Sequence, residues 1–195
     1  MKLTIYLLLA FAFSLPSFAQ TIVPAPADKA VVYFARPSGL GTLINFTYYD
    51  GETLIARFNG SKYFRYECEP GEHLFWARSE NRSFVEADLA PGGIYIIEAR
   101  PQLGGLKAQV LLTPVAPADK SISRGIKKLI ARRDPETFRP DQLEKWTANS
   151  SDSTSRGLER YENLKADGRS IDVLDATMMV APADFEIVKK KKKGE

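Results

Sequence analysis

The chain has one cysteine and one histidine, Cys68 and His73, which stand five residues apart in the stretch YECEPGEHLF. A thiolate activated by imidazole would be a nucleophile, and the same two side chains could supply half of a metal site. Nucleophilic catalysis also needs an orienting group for the histidine and an oxyanion hole, and a closed zinc site needs four ligands. The spacing supplies neither, so we interpret the pair as structural and predict no catalytic residue, no metal site and no cofactor.

The segments on either side of this pair read as the two strands of a hairpin with Glu69–Glu72 as its loop. Directly opposed residues of an antiparallel pair point to the same face, so Cys68 would stand beside His73 on an apolar face. The opposite face would carry four residues that we predict as a platform for a sugar or a peptide: Tyr63, Arg65, Trp76 and Arg78. The alternative, which we prefer, is that C-terminal helices cover this face.

Short apolar segments separated by turn signals dominate the region between residues 29 and 115. This pattern predicts an antiparallel β-sandwich of about eight strands, and Arg36, at the end of the first, is a candidate for binding an anionic group. The candidate strands are VVYFAR (31–36), LINFTYYDG (43–51), TLIARFNG (53–60), KYFRYEC (62–68), HLFWARSE (73–80), SFVEADL (83–89), GIYIIEAR (93–100) and LKAQVLLTPV (106–115).

A short helical region is predicted for residues 116–180. Residues 121–133 form a basic amphipathic pattern, whose apolar stripe suits packing on the sandwich or peripheral contact with an anionic membrane. Prolines 135 and 140 are candidate helix starts, and Leu158, Tyr161 and Leu164 indicate a further helix that Gly168 would end. The stretch NSSDSTS at 149–155 reads as a linker.

The N-terminal residues predict export. A lysine, an apolar run and a small-residue pattern in residues 1–19 have the layout of a signal peptide cleaved between Ala19 and Gln20, with residues 20–28 as a linker. Five lysines in the polar tail, residues 181–195, account for the basic balance of the chain, so the body is nearly neutral and nucleic-acid binding is not expected. We predict a periplasmic or extracellular bacterial protein.

Three segments resemble an uncharacterised bacterial family of exported proteins and lipoproteins with a domain of unknown function. They are VVYFARPS at 31–38, NGSKYFRYE at 59–67 and EPGEH at 69–73, in the family's order of motifs. The last is also similar to the turn of PEGA-like sandwich modules. The resemblance implies an all-β envelope domain, places His73 in a shared hairpin and carries over no catalytic residue.

Two functional hypotheses follow. The first is a non-catalytic module of the cell envelope that binds a partner protein or a surface polymer. The alternative is an exported hydrolase or transferase with a carboxylate-based site, because acidic residues need no distinctive spacing in the sequence.

Overall fold

The computed structural model describes residues 22–104, 107–117 and 120–185. Nine strands occur in these ranges: β1 (Ala30–Arg36), β2 (Phe46–Asp50), β3 (Thr53–Phe58), β4 (Lys62–Cys68), β5 (Gly71–Arg78), β6 (Arg82–Leu89), β7 (Ile94–Gly104), β8 (Lys107–Pro114) and β9 (Asp172–Leu174). Three helices also lie there: α1 (Lys120–Ile130), α2 (Pro140–Ala148) and α3 (Ser151–Ala166). The predicted signal peptide and the lysine run at 189–193 lie outside the described residues.

The strands form two sheets that share one core. The order is β4-β1-β7-β8 in the first sheet and β3-β2-β5-β6-β9 in the second. Their facing side chains interlock, as in the edge-to-face packing of Phe34 on Phe75 with 5.4 Å between ring centroids. The predicted fold class is therefore confirmed: a mainly β sandwich followed by a short helical C-terminal region.

Two strand pairs depart from the antiparallel expectation. β1 runs parallel to β7, and β6 runs parallel to β9. Parallel neighbours need a long connection, so they join strands that are distant in sequence, and the tight turns that reveal hairpins give no sign of them. β9 also escapes prediction because three residues are too few to show a period of two.

The predicted pairing of β4 with β5 is wrong. β4 pairs with β1 in the first sheet, whereas β5 lies between β2 and β6 in the second. All seven residues of β1 are buried, and β1 lies between β4 and β7 inside the first sheet. The turn before Gly71, whose φ of 111° favours glycine, carries the chain from one sheet to the other.

Helix α1 packs against the outer face of the first sheet. Ile126, Leu129 and Ile130 are buried in a cluster with Val31 and Tyr33. The apolar stripe is thus used inside the fold, and a membrane contact by residues 121–133 would depend on exposed basic residues of the helix. Among the described residues, no helix is long and apolar enough to cross a bilayer.

The rest of the C-terminal region is integrated with the sandwich. Of the two predicted helix starts, the one at Pro140 is confirmed, while residues 134–139 are not helical. α3 begins inside the predicted linker and is followed by Gly168 at a φ of 66°. Leu174 of β9 enters the central core, and Ile22, in the predicted N-terminal linker, is also buried. Residues before and after position 115 therefore pack together in the same cores.

The closest approach of α3 to the second sheet is at Gly157. A Cβ atom on this residue would lie 2.4 Å from Cη2 of Trp76, and the indole is fully buried. Only a residue without a side chain lets the helix backbone rest on the ring. The helix position therefore depends on this glycine.

Gly157→Ala should destabilise the fold, although alanine normally stabilises a helix interior by about 1 kcal/mol relative to glycine. The clash with a rigid ring should lower the free energy of unfolding by on the order of 2 kcal/mol. Urea denaturation measures it, with Ser155→Ala on the exposed side of α3 as the matched control. A stabilised Gly157→Ala variant would contradict the close packing.

Candidate functional site

The structure does not assemble the predicted binding platform. Tyr63 and Arg65 belong to the first sheet, and Trp76 and Arg78 belong to the second. The Tyr63 hydroxyl donates to the Arg133 carbonyl oxygen over 3.0 Å, and burial raises the pKa of Tyr63 to about 12. Arg65 forms an ion pair with Glu67 at 3.0 Å. Tyr63 and Arg65 therefore both have bonding partners on the side of the molecule that the first sheet forms.

Trp76 lies beneath α3 and has no exposed surface. Its indole stacks on Tyr49 with 3.8 Å between ring centroids, and its Nε1 donates to the Gly51 carbonyl oxygen over 2.8 Å. The preferred alternative, a face covered by C-terminal helices, therefore holds for Trp76.

Arg36, the candidate for binding an anionic group, is fully buried. Its guanidinium donates to the carbonyl oxygens of Ile44 at 2.8 Å, Leu40 at 3.0 Å and Gly41 at 2.8 Å. The same group lies 4.0 Å from the centroid of the Phe46 ring. Arg36 therefore holds the loop between β1 and β2 in one conformation.

Arg78, by contrast, belongs to a row of basic residues on the outer face of the second sheet. Thr47 of β2 is paired with Arg57 of β3 on one side and with Arg78 of β5 on the other, and Arg78 is paired with Arg82 of β6. Directly paired residues share a face, so one row across four strands carries three arginines. Like charges in such a row destabilise a sheet.

A cavity of about 410 Å³ opens beside this row, between the sheet and the junction of α2 with α3. Its size lies in the range of small-molecule sites. Most of the lining side chains are hydrogen-bond donors or arginines, and one is a carboxylate. The lining residues are Ile44, Asn45, Thr47, Arg57, Arg78, Ser79, Glu80, Asn149, Ser150 and Ser153.

The first turn of α3 adds further positive potential to this cavity. A helix N-terminus presents N–H groups without intrahelical partners and the positive end of the helix dipole. The Ser150 side chain does not cap these groups, and Asp152 in the first turn forms an ion pair with Arg156 at 3.3 Å. The positive end of the α3 dipole therefore lies beside the arginine row, where the C-terminal end of α2 also lies.

The pKa of Arg82 reflects its burial and the positive charges that surround it. Burial, followed by the nearby charges of Arg78, Arg156 and Arg160, lowers the pKa of Arg82. Its buried Nε has no hydrogen-bond partner. The carboxylate of Glu80 also lines the cavity, so its lining holds two arginines and one acidic side chain. The arrangement can bind an oxyanion, since arginine forks and helix N-termini both donate to such groups.

His73 belongs to a separate network. Its Nδ1 lies 2.9 Å from Oδ2 of Asp50, and its Nε2 lies 2.8 Å from the carbonyl oxygen of Glu69. Both ring nitrogens face acceptors, so both carry protons, and the hydrogen bond with Asp50 is the largest cause that raises the pKa of His73 to about 10. Tyr66 donates to the same carboxylate over 3.1 Å. Cys68 also contributes to the raised pKa, so it lies near His73 although the two strands do not pair.

A second cavity, of about 510 Å³, is relevant to the hydrolase alternative because it contains Glu72, Glu86 and Asp88. Hydrogen bonds from Lys165 and Tyr161 lower the pKa of Glu86 and keep it charged. A general acid requires the opposite shift, so Glu86 fits an anchor for α3 better than an acid catalyst.

A scan against protein-family models matched none, and searches of curated proteins and of solved structures found no similar protein. The resemblance to the exported family of unknown function therefore stays a prediction.

The sequence reasoning identified Arg78 but missed the residues around it. Arg78 and Arg82 flank the turn Ser79–Asn81, and this symmetry was a readable signal that they lie opposite each other. Arg57 has no such local signal, because its place in the row depends on β2 lying between β3 and β5.

Asp50→Asn should remove the pH dependence that the His73 ion pair gives to stability. The pKa of folded His73 lies above its ordinary value near 6.5, so the stabilisation is complete below pH 6.5 and is lost as the pH rises to about 10. In the wild type this loss should be on the order of 2 to 4 kcal/mol.

Urea denaturation from pH 6 to pH 10 measures this effect, and Glu72→Gln, an exposed carboxylate nearby, is the control. Parallel pH profiles for the wild type and Asp50→Asn would exclude the charged pair.

Proposed function

We propose that this protein is a non-catalytic, exported module of the cell envelope that holds an oxyanionic group of an envelope component in the arginine-lined cavity. The observation that carries the proposal is the cross-strand row of Arg57, Arg78 and Arg82 beside the N-terminus of α3. The bound group would be a carboxylate, phosphate or sulfate belonging to a surface polymer, a partner protein or a lipid.

A bound anion would explain why the fold tolerates this concentration of charge. The arginines repel one another, and the α3 dipole adds to the repulsion instead of relieving it. An oxyanion between them would accept hydrogen bonds from Arg57 and Arg78 and from the hydroxyl groups around the cavity. The unliganded arrangement is unfavourable by itself, whereas the liganded one satisfies its donors.

The side chains of the cavity favour binding over catalysis. Three serines line it, but a serine nucleophile needs an adjacent base, and the one histidine of the chain is held by Asp50 in another network. Arginine, asparagine and hydroxyl groups bind oxyanions without changing them. Export, expected from the N-terminal residues, would bring the module to the acidic polymers and lipids of an envelope.

Arg78→Gln should weaken anion binding while leaving the free protein as stable as the wild type or more so. Removing one like charge from the row should raise stability by about 0.5 kcal/mol at low salt. The stabilisation by inorganic phosphate, measured as the shift in melting temperature at constant ionic strength, should fall by at least half.

Arg169→Gln, an exposed arginine beyond the other end of α3, is the matched control. Retention on immobilised heparin, a probe for acidic polymers, should weaken in parallel for Arg57→Gln and Arg78→Gln. Equal phosphate shifts in the wild type, Arg78→Gln and Arg169→Gln would overturn the proposal.

A further inference from the structure

The loop between β1 and β2, residues 37–45, projects two leucines into solvent. Leu43 is 89% exposed and Leu40 is 46% exposed. Single exposed apolar residues are common on protein surfaces and prove nothing alone. These two differ because they stand on one short turn, and because of what surrounds that turn.

The loop is held rigidly in this conformation. The buried Arg36 guanidinium binds three of its carbonyl oxygens, and Ser61 of the neighbouring turn donates to the Pro37 carbonyl oxygen over 3.1 Å. Gly41 takes a φ of 62°, which turns the chain sharply between the two leucines. A buried arginine is thus used to keep Leu40 and Leu43 outside the core.

The same loop forms one wall of the arginine-lined cavity. Ile44 and Asn45, which follow Leu43 directly, line it together with Arg57 and Arg78. An apolar tip therefore stands beside a site that attracts oxyanions. A ligand that matches both features has an anionic head and an apolar body.

Further positive charge surrounds the loop on the side of the first sheet. Arg132 and Arg133 are exposed there, and the Arg133 carbonyl oxygen accepts from Tyr63, whereas the charge of Lys62 is balanced by an ion pair with Glu136 at 2.9 Å. The opposite ends of the strands carry mainly acidic residues, among them Asp50, Glu52, Glu69, Glu72 and Asp88. The molecule is thus polarised along its strands, with the leucines at the basic end.

We propose that this end of the sandwich docks on an anionic phospholipid bilayer. Leu40 and Leu43 enter the acyl boundary, and the cavity with Arg57 and Arg78 holds a lipid phosphate. The inference rests on the proposed function, because it uses the same cavity and names the source of its oxyanion. Anionic lipid is favoured over an acidic polymer or a protein because a polymer gives no role to the leucines, and insertion of apolar groups together with basic attraction is typical of peripheral membrane binding.

Sedimentation with lipid vesicles tests the proposal, using the protein in the processed form that an expressing bacterium produces. Vesicles of phosphatidylcholine with 30% phosphatidylglycerol should bind the wild type, and vesicles of phosphatidylcholine alone should bind it at least tenfold more weakly. The double variant Leu40→Asn, Leu43→Asn should lose at least tenfold in affinity for the anionic vesicles. Met179→Gln, also partly exposed and apolar but at the other end of the first sheet, should bind like the wild type.

Phosphate-induced stabilisation separates this inference from the function on which it rests. The leucine variant should keep the full shift in melting temperature with inorganic phosphate, while Arg78→Gln should lose both phosphate and vesicle binding. If phosphate shifts the melting temperature but the leucine variant binds anionic vesicles as tightly as the wild type, membrane docking is overturned and the anion site stands. The protein could also bind heparin more tightly than vesicles, with neither affinity changed by the leucine substitutions. That result would identify an acidic polymer as the ligand and would also overturn membrane docking.

A spectroscopic variant provides a direct measure of insertion. Leu43→Trp, made together with Trp146→Phe, should show a blue shift of tryptophan emission on adding the anionic vesicles, since Trp76 is then the one native tryptophan left and is already buried. Absence of a blue shift in a bound variant would overturn the insertion of this loop.

Discussion

The contact between Gly157 and Trp76 determines how the two halves of the chain combine. Trp76 lies in the middle of the second sheet, stacked on Tyr49, and would expose a large apolar surface if nothing covered it. Only a helix with a glycine at the contact can approach a ring so closely. Tyr161, one turn further along α3, packs on Phe84 with 5.7 Å between ring centroids and extends the same contact. The C-terminal region is therefore a layer of the domain.

This contact also determines the electrostatics, because it fixes the direction of α3. The helix begins beside the arginine row and passes over the paired aromatic residues Tyr49, Trp76 and Phe84. It ends where Lys165 and Tyr161 both bind Glu86. Packing on Trp76 thus carries the positive end of the helix dipole to the place where the sheet is most basic. The apolar contacts outweigh this repulsion, and the result is a cavity lined by two arginines and one carboxylate beside the N-terminus of α3.

Sequence patterns predicted local structure well and pairings poorly. Eight strands, the helix start at Pro140 and the glycine after α3 were readable, since each depends on residues within a few positions of one another. The partners of β4 and β5 were not, because β4 pairs with β1 and β5 pairs with β2, and neither pair is joined by a short turn. The predicted platform failed with that pairing. The outward orientation of Arg78 was predictable because it depends only on the alternation of side chains within β5.

A solvated surface is an insufficient explanation for the arginine row. On an open surface, arginines spread into water and little energy is involved, whereas Arg82 keeps a buried Nε without a partner and has a pKa lowered by burial and by its neighbours. The buried Arg36 holds the neighbouring loop in a conformation that leaves Leu40 and Leu43 exposed. Two unfavourable features, crowded cations and exposed leucines, lie beside one cavity. A single amphiphilic ligand would satisfy both, and no feature of the sandwich core requires either.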